Sequence, residues 1–160
     1  MKNQYEHFLG WLRDAHALEQ QIEILVEGQV NRLENYPSIQ SRLVRHIDTK
    51  VLHQETLHNA IKRLGGDTSV LKDAAAKLMA TGQNVVGSTM SDEVVKGAMT
   101  LYVFTQVAIS SYTVLIAAAE AIADIDAANA LKYVLEDEIA MSKWLLEDLP
   151  SLTQSFLCRI

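Results

Sequence analysis

Apolar residues recur at steps of three and four along most of the chain, the period of a helix with one buried face. From about Tyr5 to Glu34 the run includes Phe8, Leu12, Ala15, Leu18, Ile22, Val26 and Leu33. Asn35-Tyr36-Pro37 ends it, because proline cannot continue a helix but suits the first turn of the next. A second run, Ile39, Leu43, Ile47, Val51 with Leu52, Leu57, Ile61 and Leu64, predicts a helix from about Ser38 to Leu64. Gly65-Gly66 supplies its stop. Asp67-Thr68-Ser69 then offers N-cap oxygens for a short helix over about 70–80, and 82–89 reads as a loop. Ser91-Asp92-Glu93 opens a third long helix, its acids suited to the positive end of the helix dipole. That helix is expected to reach about Ala123, with Asp124-Ile125-Asp126 as the break. A fourth runs from about Ala127 to Asp148, before Pro150, and residues 151–160 read as a tail.

No segment alternates with the period of a strand, and no repeat of 20–50 residues is present. The predicted class is all-α, with one bundle domain over 1–150. Helices 1–2 and 3–4 have tight links, whereas helices 2 and 3 are joined by a long one. Two hairpins with one long crossover make a ferritin-like four-helix bundle, here with a short extra helix between helices 2 and 3.

Composition agrees with that class and narrows the function. Hydrophobic residues make up 49% of 160, with only 2 prolines and 7 glycines, which fits neither a disordered chain nor a turn-rich β protein. Fourteen basic against 20 acidic residues leave a net charge of −6, so no nucleic-acid partner is expected. The most apolar stretch, Val103 to Ala123, is broken by Gln106, Ser110, Ser111, Thr113 and Glu120. It reads as a buried helix and not as a membrane span. The start shows no signal-peptide pattern, so the expected location is the cytoplasm. The single Cys158 cannot form an internal disulfide.

The chemistry to seek in such a bundle is a carboxylate–histidine metal centre. Two helices then give one Glu each and the other two give Glu-x-x-His, all pointing inward. Helix 1 offers Glu19, close to its apolar stripe, with His16 three residues before it. Helix 2 offers His46 and His53, seven apart and so on one face. Its literal Glu55-Thr56-Leu57-His58 lies off the stripe and reads as a solvated rim pair. Helix 4 offers Glu138 within the acidic run Glu136-Asp137-Glu138. Helix 3, whose inward face should carry Tyr102, Thr105, Ile109, Tyr112 and Ile116, has no acid between Glu93 and Glu120. One helix therefore gives no anionic ligand to the centre.

Several co-linear segments resemble the YciE/YciF family (DUF892) of bacterial stress proteins, most closely its YciE branch. They include Trp11-Leu12-Arg13-Asp14-Ala15-His16-Ala17-Leu18-Glu19, Glu34-Asn35-Tyr36-Pro37, Ser91-Asp92-Glu93-Val94-Val95-Lys96-Gly97 and Met141-Ser142-Lys143-Trp144-Leu145. The resemblance implies a ferritin-like, rubrerythrin-related bundle, often dimeric, tied to stress responses, with a poorly defined activity. The family's helix 1 Glu is matched by Glu19 and its helix 4 Glu by Glu138. Relatives tend to show His-x-x-Glu-Thr in helix 2, where this chain reads His46-Ile47-Asp48-Thr49-Lys50. Without a gap Thr49 replaces that Glu; with one residue lost, Asp48 does. The helix 3 acids correspond to Thr105 and Ala108, and the helix 4 His to Met141.

The expectation is a stress-associated bundle with a degraded di-metal site, a non-catalytic structural or interaction protein, homodimeric and without cofactor. The alternative is an iron-, manganese- or zinc-binding member with di-iron oxidase or peroxidase-type activity. Its rearranged ligand set would be Glu19, Asp48, Glu138, His46 and His53. A third possibility is an apolar ligand or partner helix in space left by Thr105 and Ala108.

Overall fold

A capping box sets the start of the first helix. The Asn3 side chain accepts from the Glu6 backbone N–H, and the Glu6 carboxylate accepts from the Asn3 N–H, both at 2.9 Å. The computed structural model describes residues 3–68 and 93–159. Within them lie four helices: α1 (Gln4–Arg32), α2 (Pro37–Arg63), α3 (Glu93–Ala121) and α4 (Ile125–Leu157). Pro37 opens α2, and Gly65, at φ 72, closes it in the left-handed region. The short helix over 70–80, the loop over 82–89 and the Ser91-Asp92 start lie outside the described residues.

Two boundaries differ from the sequence expectation. The α3–α4 break comes earlier, at Ile122 to Asp124, with Ala123 at φ 58. The Asp124 carboxylate caps α4 by accepting from the Ala127 N–H at 3.0 Å, which draws Ile125 and Asp126 into the helix. At its far end α4 does not stop at Asp148 but passes through Pro150 to Leu157. Proline removes one backbone hydrogen bond there. Leu152, 1% exposed, belongs to the core and holds the turn that follows.

The helices form an all-α four-helix bundle. α1 packs along α2, α3 along α4 and α1 against α3, while α2 and α4 meet only sparsely. Arg32 pairs with Glu93 at 3.0 Å, and Arg63 with Asp124 at 3.0 Å, tying opposite ends of the two hairpins together. The Gln29 side chain donates to the Val94 carbonyl at 2.7 Å, and it fits only because Gly97 has no Cβ. Phe8, Leu12, Ile22, Leu43, Leu57, Ile61, Leu115 and Leu131 fill the core. Each stabilises the fold by roughly 1.5–3 kcal/mol of apolar burial.

Two helices turn differently from the predicted stripes. Mid-α2, Val51 and Leu52 face solvent, whereas His46, Lys50 and His53 face inward. On α3, Thr105, Tyr112 and Ile116 are buried as expected, joined by Leu101, Ala108 and Leu115, but Tyr102 and Ile109 are only half-buried. The outer face of α3 is apolar as well: Met99, Val103, Val107 and Val114 are each about half exposed. By length and composition alone α3 would pass for a membrane span, a test that the core helix of a soluble bundle also meets.

Candidate functional site at the bundle centre

α2 places its inward polar residues at 46, 50 and 53, steps of four and three that share one helical face. Lys50, fully buried, reaches the middle of the bundle between two carboxylates from diagonally opposed helices. Its ammonium lies 3.1 Å from Glu19 Oε2 of α1 and in direct contact with Glu138 Oε1 of α4. His53 stands one turn further along α2. Its Nδ1–H donates to Glu138 Oε1 at 3.1 Å, with Glu19 Oε1 at 3.6 Å, and its Nε2–H donates outward to Asp137 Oδ2 at 3.0 Å. α3 contributes Tyr112, whose hydroxyl donates to Glu19 Oε1 at 2.7 Å. Thr105 turns its hydroxyl back to the Leu101 carbonyl at 2.8 Å and takes no part.

The electrostatics close on themselves. Glu19 and Glu138 carry two negative charges, and Lys50 and His53 two positive ones, in a volume with almost no solvent. Burial works against a charged imidazole, but hydrogen bonds to Glu138 and Glu19 outweigh it and push His53 up to about 9. Burial would likewise raise Glu19; the Lys50 charge and the His53 and Tyr112 hydrogen bonds hold it well below the usual carboxylate range. Tyr112 is raised by burial and by the Glu19 charge, so its hydroxyl keeps its proton and donates. His46, outside this set, is pulled down to about 3 by burial and by the nearby charges of Lys50 and His53. His16 is lowered by burial and by His58, and its Nδ1 has no hydrogen-bond partner. The Glu138 Oε2 also lacks a hydrogen-bond partner.

The candidate ligands named from the sequence therefore separate. Glu19, His53 and Glu138 come together, each offering a ligand atom within 4.8 Å of the others. His46 is buried nearby but stands outside that group. Asp48 is exposed: it lies two residues from both 46 and 50, a rotation of about 200° from the inward face. Neither proposed register of helix 2 is correct, because the inward residue is neither Thr49 nor Asp48 but Lys50. Glu55 is exposed and His58 half-buried, as a rim pair should be.

Lys50 was the residue missed, since an unpaired lysine is almost never fully buried and is assigned to the surface by default. A usable signal was present. Lys50-Val51-Leu52-His53 has the spacing of Glu-x-x-His with a cation at its first position, and Glu138 to Met141 has the same spacing with the imidazole replaced. Glu19, His53 and Glu138 thus supply part of the ligand types in the pattern of two Glu and two Glu-x-x-His. An ammonium cannot ligate a metal and repels one, so as arranged these residues do not fit a di-metal centre. The Lys50 charge stands where a metal cation would balance the carboxylates.

A family model described as a domain of unknown function, DUF892, matches residues 3–158. The chain is also similar to a protein from Xanthomonas campestris pv. campestris str. ATCC 33913 whose crystal structure has been solved. The TM-score is 0.82 at 26% sequence identity, over 99% of this chain and 98% of that one.

Proposed function

The chain belongs to the DUF892 family, that of the YciE and YciF proteins, and on that premise we propose that it is a stress-associated, ferritin-like structural or interaction protein whose metal centre has been replaced by a salt-bridged core. Lys50 is the observation that carries this. Buried between Glu19 and Glu138, it supplies the positive charge that two inward carboxylates require. With His53 charged, the set is neutral without any ion. Removal of acids from α3, where Thr105 and Ala108 sit, fits the same change, because surplus buried carboxylates would be costly.

The proposed assembly is a homodimer in the cytoplasm, acting on protein partners and not on a substrate. The exposed stripe of Met99, Val103, Val107 and Val114 supports self-association. It lies on a helix with no charged residue between Lys96 and Glu120.

A second reading is favoured by one observation. Glu19, His53 and Glu138 are already gathered, and Glu138 Oε2 has no hydrogen-bond partner. Together they would hold one iron, manganese or zinc ion if Lys50 swung away. Metal analysis of protein grown in iron-, manganese- and zinc-supplemented medium distinguishes the two. Substoichiometric metal is expected. Stoichiometric metal that disappears in Glu19→Ala and Glu138→Ala variants would establish the second reading and sink the first.

A further inference from the structure

Between α2 and α4, the two neighbouring helices that touch least, a cavity of about 180 Å³ opens to solvent. Arg42, Arg45, His46 and Thr49 line it from α2, and Asp137 and Met141 from α4. The spacing 42, 45, 46 and 49 puts all four α2 side chains on one helical face. Arg42 and Arg45 differ from the arginines that tie the bundle ends. Arg32 and Arg63 are ion-paired, whereas neither Arg42 nor Arg45 has a carboxylate partner among the described residues. Arg42 is held instead over the Trp144 ring, 5.5 Å from its centroid. The stacking positions the guanidinium while leaving its N–H edges free. Asp137, the one acid of the lining, is already bonded to His53 Nε2 at 3.0 Å.

Two unpaired guanidiniums on one small cavity are unexpected in a chain of net charge −6. Both are exposed, so solvent screens their repulsion, and a bound anion would balance the two charges. Two planar forks and the His46 imidazole border the space with donors, an arrangement that recognises an oxyanion, while the Thr49 hydroxyl donates to the Arg45 carbonyl at 3.5 Å. A planar carboxylate has two oxygens to receive them, whereas a phosphoryl group presents three. The volume is below the ~300 Å³ of a typical drug-sized pocket, and suits a group of phosphate size with a few waters. We propose that this cavity binds a phosphoryl dianion, as free phosphate or as the head of a small phosphate monoester.

Isothermal titration calorimetry of the full chain tests this, with inorganic phosphate and glycerol phosphate as probes at constant ionic strength. Saturable one-to-one binding is expected, weakened at least about tenfold in Arg45→Gln. Arg45 is exposed and its loss spares the fold; Arg42→Gln, checked for helicity by circular dichroism, should act in the same direction. Binding of phosphate identifies the free anion, and binding of the ester alone identifies a phosphorylated metabolite. Absence of saturable binding by both probes overturns the proposal. So does unchanged affinity in the two variants, or equal affinity for acetate.

Discussion

Replacing Lys50 by methionine removes the cation from the bundle centre while keeping most of the side-chain volume. Glu19 and Glu138, each fully buried, are then left with His53 as the only positive charge. Breaking a buried ion pair by deleting one partner costs about 3–5 kcal/mol. That is a large share of the ~5–15 kcal/mol that stabilises a domain. For a chain of this size it corresponds to a fall in Tm of roughly 6–20 °C. The cost arises from an uncompensated carboxylate and not from lost packing, so a second substitution should recover part of it. In Lys50→Met/Glu138→Gln the remaining Glu19 is balanced by His53, and the set is neutral again. The double-mutant cycle should therefore show about 1–3 kcal/mol of favourable coupling between positions 50 and 138. Urea unfolding followed by circular dichroism measures each corner of the cycle. A Lys50→Met loss below about 1 kcal/mol, or losses that simply add, would refute the view that Lys50 is held by charge balance.

Four further outcomes are expected. The folded protein keeps a proton on His53 up to about pH 9, against 6.5 when unfolded; this stabilisation, on the order of 3 kcal/mol, is present below pH 6.5 and lost as pH rises through 9. His46, held neutral down to about 3, and Glu19, held ionised, act on the other side: their stabilisation is lost as pH falls. Urea midpoints should therefore peak near neutrality, and His53→Gln should flatten the alkaline limb; an unchanged alkaline limb would count against the His53 assignment. Gly97→Ala gains about 1 kcal/mol of helix propensity but displaces Gln29 from its bond to Val94, so a net loss of about 1 kcal/mol is expected by urea unfolding, and a stabilised variant would contradict that packing. Sedimentation equilibrium should give twice the 17.8 kDa of one chain, reverting to one chain in Val107→Glu; a monomeric parent protein would remove the role assigned to the α3 stripe. Glu19→Gln should lower stability by about 1–3 kcal/mol, since the Lys50 and Tyr112 groups it receives are buried; a neutral effect in thermal melts would deny that Glu19 is a required acceptor.

Helix number and most boundaries could be read from the chain because apolar periodicity and capping residues act locally. Pro37 and Gly65-Gly66 are of this kind. α4 overran its expected end because the burial of Leu152 outweighs the one hydrogen bond lost at Pro150, which depends on what the turn packs against. The centre was half legible. Glu19 and Glu138 are named by residue type, helical face and family pattern, His53 by its place seven residues after His46 on one face, and all three arrive there. Lys50 escaped because a lysine is placed inside only by the two acids facing it, one 31 residues before it and one 88 after it in the sequence. Asp48 failed for a related reason: it stands two residues from the inward positions 46 and 50, which rotates it by about 200° to the solvent side. No sequence pattern in α2 settled the register once its inward residues had become polar. Tyr102 and Ile109 are expected inward but are only half-buried, because the apolar residues of α3 continue around the helix and periodicity then ceases to say which side is covered.

The metal-to-protein ratio of Lys50→Glu, measured beside that of the unaltered chain, tests the central claim most directly. The substitution places a carboxylate three residues before His53 and removes the charge that balances Glu19 and Glu138. Inductively coupled plasma mass spectrometry after growth in iron-, manganese- and zinc-supplemented medium should find the unaltered chain essentially metal-free and Lys50→Glu loaded with at least one ion per chain. Stoichiometric metal in the unaltered chain, with no gain in Lys50→Glu, would contradict the account.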